Sequence, residues 1–214
     1  MDLELFYHTF PRLYHMAHHE ALPSIRRHGL LSTSALLDLF EVDGVRRLEI
    51  ETKMRRENIE IRHPKHGVAV IRDQKPIMND RRLEQSLGGT ATAAEFHLLL
   101  NSKVFFWVNP DRLAGLRTAV AYRGEPQLVL TLDTQRLVEA YGEQMMLCPM
   151  NSGACKPMAH PRSPAIFQRI ADYDFEFWRR RKGSEAKAAV ECTVERAVLG
   201  VERFIIQTEN VGRQ

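Results

Sequence analysis

The chain has 214 residues, of which 44% are hydrophobic and 27% are charged. These values are typical of a globular protein and exclude a disordered tail, a collagen-like rod and a disulfide-stapled miniprotein. The formal net charge of +3 permits a nucleic-acid partner without requiring one. Three cysteines and the lack of a signal-peptide pattern indicate a reducing compartment, and no apolar run approaches the length of a membrane helix. We therefore expect a cytoplasmic protein with no membrane partner.

The first quarter of the chain alternates strand and helix signals. Residues 13–17 predict a short strand, and helical spacing then runs from Ala21 to Gly29, where glycine predicts the end of the helix. Ser32 is a candidate N-cap for the next helix. A charged helix is predicted to follow, with an apolar side formed by Val45, Leu48 and Met54.

Strand signals dominate the rest of the chain, and helical segments separate them irregularly. Strands are predicted at 59–62, 67–72, 104–108, 127–133, 188–194 and 203–207, and helices at 90–100, from 110 and at 134–140. Residues 145–164 show no clear pattern. The interleaving predicts an α+β or mixed α/β fold, and the absence of a linker predicts a single domain, 1–214.

Three residues are candidates for a functional site, and each also has an ordinary structural interpretation. His15 at a strand end could be a hydrogen-bonded structural histidine or could bind a ligand hydroxyl or carbonyl. Arg72 ends an apolar strand, where it could reach solvent, pair with an acid or bind a pyrophosphate. Glu191 lies on the strand face opposite Cys192, which indicates either an exposed edge or a cleft where it holds a sugar hydroxyl.

Other chemical signals are weaker. The pair His15-x-x-His18 lacks a further ligand at a familiar spacing, and we predict no metal site. Cys148 and Cys155 near His160 leave a thiol nucleophile open, without a cysteine-protease signature. The segment 172–182 interleaves aromatic and basic residues, which suits stacked bases and phosphates as well as a solvated helix end.

The segment LYHMAHHEALPSIRRHGL resembles the opening of DarT-like ADP-ribosyltransferases, in which a strand ends in Tyr-His-x-Thr-His and Asn-Leu-x-x-Ile and Gly-Leu follow. The matching residues are Tyr14, His15, His18, Leu22, Ile25, Gly29 and Leu30. Ala17 replaces the usual threonine and Ala21 the usual asparagine. AAVECTVERAV resembles the closing strand that carries the catalytic glutamate. The chain also resembles uncharacterised bacterial proteins with IRDQ, FFW and NSG signatures.

The resemblance implies a split, curved mixed β-sheet with flanking helices and NAD in the cleft. It implies Glu191 and Arg72 as catalytic residues, with Glu191 stabilising the oxocarbenium-like state and Arg72 pairing with pyrophosphate. The cofactor-binding residues that it implies are His15, Met16, Ala17, Arg72, Phe105, Phe106 and Tyr122, with one of the three aromatics stacking on nicotinamide.

By the same resemblance the expected activity is transfer of ADP-ribose from NAD, which is consumed as a substrate. A DNA base is the first expectation for the acceptor, with single-stranded DNA as a partner, and protein or small-molecule acceptors stay open. A DNA-modifying toxin of this kind implies an antitoxin or an ADP-ribosyl hydrolase as a further partner. The alternatives are a non-catalytic NAD- or nucleic-acid-binding module, favoured by Ala17 and Ala21, and an RNA 2′-phosphotransferase.

Overall fold

The computed structural model describes residues 1–75, 77, 79–118, 124–155 and 160–212. The helices are α1 (Leu3–Thr9), α2 (Leu22–His28), α3 (Thr33–Leu39), α4 (Gly44–Thr52), α5 (Asp80–Leu87), α6 (Ala93–Asn101), α7 (Pro110–Thr118), α8 (Thr134–Tyr141) and α9 (Phe175–Lys182). The strands are β1 (Arg12–His18), β2 (Leu30–Leu31), β3 (Ile59–His63), β4 (Gly67–Ile71), β5 (Lys103–Trp107), β6 (Gln127–Asp133), β7 (Met145–Cys148), β8 (Gln168–Arg169), β9 (Glu191–Glu195), β10 (Ala197–Val198) and β11 (Ile205–Val211). Short 3-10 helices cover Gly142–Gln144, Pro164–Ile166, Ile170–Asp172, Glu185–Lys187 and Val201–Arg203.

A seven-stranded sheet with the order β11-β6-β1-β5-β9-β7-β8 organises the fold. Two small two-stranded sheets, β10-β2 and the β3–β4 hairpin, accompany it. Helices flank these sheets, so the predicted α+β class is confirmed. Every pairing among the described strands is antiparallel, whereas the resemblance implied a mixed sheet.

The large sheet opens between β1 and β5. Strand β1 pairs with β6 along its whole length, but it pairs with β5 only through Tyr14 and Trp107. In an antiparallel register the next pairs would join His15 with Phe106 and Met16 with Phe105, and neither pair forms. The backbone groups on either side of this opening are therefore available to side chains and ligands.

The strands around this opening carry different cores on their two faces. Cys192 and Val194 of β9 belong to the main core, together with Val104 and Phe106 of β5. Cys148 of β7, which is paired with Glu191, belongs instead to a smaller core under α5 and α6. Glu191 thus lies on the face opposite Cys192, as strand alternation predicts.

A third apolar cluster joins the β3–β4 hairpin to α3 and α4, and it corrects one prediction. Val45 and Leu48 were expected on the apolar side of the charged helix, but they are 75% and 61% exposed. Ile50 and Glu51 are the buried residues of α4. The Glu51 carbonyl accepts a hydrogen bond from the Asn101 amide at 2.8 Å, so the helix is oriented by its packing on α6.

The helix boundaries around α2 and α3 follow their sequence signals. Helix α2 ends at Gly29, whose φ of 85° lies in the region that glycine adopts without strain. Ser32 caps α3 by accepting a hydrogen bond from the Ala35 N–H at 3.1 Å. No helix in the described part of the chain is long and apolar enough to span a bilayer.

Candidate active site

The opening in the sheet leads into a cavity of about 270 Å³. His15, Arg72 and Glu191 all border it, although they are far apart in sequence. His15 comes from β1, Arg72 from the end of the β3–β4 hairpin and Glu191 from the start of β9. The fold therefore brings together the three residues that the sequence singled out.

Glu191 is a buried acid, with only 5% of the residue exposed. Its backbone is fixed between two strands, opposite Trp107 of β5 and Cys148 of β7. Its carboxylate accepts a hydrogen bond from the Ser152 N–H at 3.1 Å. The side chain is thus held in place from both the sheet and the loop that follows β7, and this excludes the exposed-edge interpretation.

Burial dominates the electrostatics of this carboxyl group. Loss of solvation raises the pKa of Glu191 to about 7, and the contacts with Ser152 and the charge of Arg162 oppose the rise. Burial also raises the pKa of the neighbouring Cys148 thiol, and the charge of Glu191 adds to that effect. Near neutral pH the acid can therefore both release and accept a proton, while the thiol stays protonated.

His15 takes the place of a missing ladder bond. Its Nδ1 lies 2.8 Å from the Phe105 carbonyl oxygen. Because the two strands separate here, that oxygen has no backbone partner on β1. A carbonyl only accepts, so Nδ1 carries the proton and the neutral ring presents Nε2 as an acceptor. Burial lowers the pKa of His15, and Arg72 acts in the same direction. The neutral imidazole is suited to accepting a hydrogen bond from a ligand hydroxyl.

Arg72 lies on a loop that is held by hydrogen bonds from the buried Arg55. The Nε of Arg55 donates to the Arg72 carbonyl at 3.0 Å, and its guanidinium also donates to the Ile50 carbonyl at 2.7 Å. The Gln74 side chain accepts from the Arg55 N–H at 3.0 Å and completes this link. Burial lowers the pKa of Arg55 to about 10, well above neutrality. Arg55 and Arg72 both border the cavity.

A second cavity of about 360 Å³ continues from the first. The two share a wall formed by His15, Met16, Thr33, Arg55, Arg72, Asp73, Lys103 and Phe105. Ala17 borders only the second cavity, and Glu191 only the first. Together they form a cleft within the size range of small-molecule sites, about 300–1,000 Å³. Glu191 lies at one end of this cleft, and Arg55, Arg72 and Asp73 lie in the shared wall.

The three aromatic candidates are placed differently. Phe105 is half-buried and borders both cavities, with the Phe167 ring 6.3 Å away. Phe106 borders the first cavity but is 1% exposed and belongs to the main core. Tyr122 lies outside the described residues. Stacking on nicotinamide stays a prediction, and of the two described rings Phe105 offers the more accessible face.

Two features of the site escaped sequence reasoning. Lys103 borders both cavities from β5, is buried, and pairs with Glu195 at 2.5 Å. It directly precedes the predicted strand 104–108, and its partner lies 92 residues further along the chain. The other feature is the turn at Asn151, Ser152 and Gly153, which borders the first cavity and binds Glu191. The NSG signature marked this turn, but nothing assigned it a contact.

The two other candidate sites in the sequence are a metal site near His18 and a thiol nucleophile at Cys148. Three candidate ligand atoms, one each from His18, His19 and Glu20, lie within 4.8 Å of one another, and among the described residues they form the one group of this size with metal-ligand chemistry. It does not include His15, whose Nδ1 is engaged with a carbonyl. Cys148 is a poor nucleophile because burial keeps its thiol protonated.

The basic and aromatic segment forms α9 and reaches the site. Phe177 is 49% exposed, and the Arg181 guanidinium lies 5.9 Å from the centre of its ring. Lys182, at the end of the helix, donates to the carbonyl of Pro149, the residue after the β7 end opposite Glu191. An exposed ring and several cations thus lie beside the loop that borders the first cavity.

The protein has an α+β fold with a charged cleft where strands β1 and β5 separate. A sequence profile of the family described as "Family of unknown function (DUF7002)" matches residues 11–205, and the chain belongs to this family. No curated protein matches the chain.

Solved structures with similar folds include the Thermosipho africanus DarTG in complex with ADP-ribose. It has 14% sequence identity and a TM-score of 0.42, and the match covers 93% of this chain and 43% of that one. The Thermus sp. 2.9 DarT, solved in complex with NAD+ and with ADP-ribosylated ssDNA, has 16% identity and a TM-score of 0.37. That match covers 88% of this chain and 76% of the DarT chain. The chain thus spans less than half of the DarTG chain.

Proposed function

We propose that the protein is an NAD-dependent ADP-ribosyltransferase whose active site is the cleft between β1, β5 and β9. The observation that supports this most directly is that His15, Arg72 and Glu191 border a single cavity. The cleft continues past the two arginines into a second cavity, so it has the extended form and the central positive charge that a dinucleotide requires.

The chemistry follows from the position of the acid. With the nicotinamide ribose beside Glu191, the C1′–N bond breaks and nicotinamide leaves with the electron pair. The carboxylate stabilises the positive charge that develops on the ribose. An acceptor nucleophile then forms a bond to C1′ and gives its proton to Glu191, whose raised pKa suits a general base near neutral pH.

The other residues bind and orient NAD in this proposal. The Nε2 of His15 accepts a hydrogen bond from a ribose hydroxyl, and Arg72 pairs with the pyrophosphate. Met16 and Ala17 line the wall of the cleft, and Phe105 stacks on nicotinamide. Ala17 offers no hydrogen bond where the resembling family has threonine, so contacts on this side are apolar.

We propose single-stranded DNA as the first acceptor to test. Helix α9 supports it, because an exposed aromatic ring next to arginines can stack with an unpaired base. Lys182 joins this helix to the loop beside Glu191, so a strand docked on α9 would pass close to the cavity. An enzyme that modifies DNA would also require an antitoxin or a hydrolase that removes the mark.

Incubation with labelled NAD and matched single-stranded DNA, double-stranded DNA, RNA and lysate tests the proposal. We expect label on one class of macromolecule, and Glu191→Gln should abolish transfer while retaining NAD binding. Glu57→Gln, at an exposed bend, is the matched control. Nicotinamide release without label would indicate an NAD hydrolase. NAD binding without turnover would indicate a binding module, and NAD-dependent phosphate transfer from RNA by Glu191→Gln would indicate a phosphotransferase.

A further inference from the structure

A buried arginine behind the catalytic cavity has no role in the proposed reaction. Arg162 lies in the segment between the described residue His160 and the 3-10 helix at Pro164, and it is 6% exposed. Burying a guanidinium is expensive unless its donors are matched with acceptors. We therefore expect the buried side chain to have a role that offsets this cost.

The Arg162 side chain donates hydrogen bonds to backbone carbonyls. Its guanidinium donates to the Ser152 carbonyl at 2.5 Å and to the Ala154 carbonyl at 2.7 Å, and its Nε donates to the His160 carbonyl at 3.2 Å. Its own N–H donates to the Ser86 carbonyl at 2.8 Å, which attaches the segment to α5. A planar fork of donors can bridge two carbonyls of one turn, and a lysine ammonium cannot copy that geometry.

The two carbonyls belong to the turn that holds the catalytic acid. The Ala154 N–H donates to the Asn151 carbonyl at 3.2 Å and closes a four-residue turn. Within this turn the Ser152 N–H points to the Glu191 carboxylate, while the Ser152 carbonyl points to Arg162. A single residue therefore connects the arginine and the acid through its backbone.

We propose that Arg162 is a positioning residue that fixes the Asn151–Ala154 turn so that the Ser152 N–H holds the Glu191 carboxylate toward the cavity. This inference rests on the proposed function for its catalytic consequence, but not for the geometric link itself. Without the fork the turn loses two anchors, the Ser152 N–H moves off the carboxylate and burial acts on Glu191 unopposed. The acid then ionises at higher pH and spends less time in its productive orientation.

Other titratable groups near Glu191 are the same in every variant. Cys148 lies on the adjacent strand, and the groups that border the same cavity are His15, Arg55, Arg72, Asp73 and Lys103. Substitution of Arg162 leaves all of them in place. A change in the ionisation of Glu191 is therefore attributable to the turn and to the charge behind it.

The test compares Arg162→Lys, Arg162→Gln and Ser152→Ala with the wild type. Arg169→Gln is the matched control, because that arginine is exposed and pairs with Asp172 on the surface. The first measurement is an NMR titration of carboxyl groups in protein with labelled glutamate, with the Glu191 signal assigned by its loss in Glu191→Gln. We expect the Glu191 midpoint to rise by about one pH unit in Arg162→Gln and by less in Arg162→Lys.

The second measurement is steady-state turnover of NAD across pH. For Arg162→Gln we expect kcat to fall roughly 10²-fold, in line with misplacement of a catalytic group, while KM for NAD changes less than threefold. Ser152→Ala keeps the backbone N–H and removes the hydroxyl, which also opposes the rise in the pKa of Glu191, so a shift in this variant measures the hydroxyl alone. The backbone contact is read directly in the wild type, where the NMR signal of the Ser152 amide should move as Glu191 ionises.

The outcomes separate the two proposals. If the Glu191 midpoint rises in the Arg162 variants but the wild type itself shows no transfer, the positioning role is supported and the proposed function is overturned. Transfer activity with unchanged midpoint and unchanged kcat in a folded Arg162 variant overturns the positioning role. If both Arg162 variants fail to fold, a wild-type Ser152 amide signal that does not move as Glu191 ionises overturns it instead.

Discussion

Replacing Glu191 with glutamine should make the protein more stable at alkaline pH, even though the same change should abolish transfer. The structure buries this carboxyl group and raises its pKa from the usual 4.5 to about 7. Between these two values the folded protein holds a proton that the unfolded chain has released. Raising the pH therefore favours unfolding, and the stability that protonated Glu191 provides is lost as the pH rises through 7.

The size of the effect follows from the difference between the two pKa values. One pKa unit corresponds to 1.36 kcal/mol, so ionisation of Glu191 in the folded state costs about 3 kcal/mol at pH 8. Glutamine has the same shape, keeps an acceptor for the Ser152 N–H and never ionises. The free energy of unfolding of Glu191→Gln, relative to wild type, should therefore rise by about 2.5 kcal/mol between pH 5 and pH 8, because part of the loss in the wild type has already occurred at pH 5.

Urea denaturation at constant ionic strength, at four pH values from 5 to 8, measures this difference. Other titrating groups contribute equally to both proteins, so only the difference between variant and wild type is interpreted. Glu57→Gln, at an exposed bend, is the matched control. A pH-independent difference for Glu191→Gln would refute the argument that the buried acid is ionised at a cost.

Two further predictions concern the elements that shape the cleft. His15→Phe keeps the ring but leaves the Phe105 carbonyl without its 2.8 Å partner, so NAD affinity by calorimetry should weaken about tenfold. Unchanged affinity would remove His15 from the binding site. Gly29→Ala places a Cβ 2.5 Å from the Val198 carbonyl oxygen at a φ of 85°, and it should lower stability by about 2 kcal/mol or more. Gly67→Ala, at a φ of 76° with open space around it, should lose only about 1 kcal/mol in the same thermal melts.

Sequence reasoning worked where a short local pattern decides the structure. The alternation around Cys192 placed Glu191 on the correct face of its strand, because side chains on a strand alternate whatever the partner. Gly29 ended a helix and Ser32 began the next for equally local reasons. Identifying the site also depended on a likeness at the two ends of the chain, around His15 and Glu191.

Reasoning failed where a distant contact decides the structure. Strand β7 has no β-branched residue and was left without a pattern, yet it pairs with β9 across more than forty residues. Helix α4 has apolar residues on two sides, and only its packing on α6 shows that Ile50 is inside and Val45 outside. The carbonyls that Arg162 binds are backbone atoms, which leave no signature in the sequence.

Catalysis and stability should depend on the same proton in opposite ways. Transfer requires the ionised Glu191 carboxylate, so activity should rise with pH through a midpoint near 7, whereas the stability of the wild type falls from about pH 4.5 and levels off near 7. Burial lowers the pKa of His15, so its ionisation adds no second transition to the pH profile of activity near 7. Measuring turnover and unfolding on one preparation across pH should therefore place the midpoint of activity at the pH where the loss of stability levels off, and Glu191→Gln should remove both effects. A separation of more than a pH unit between these two pH values would show that a group other than Glu191 controls one of the two.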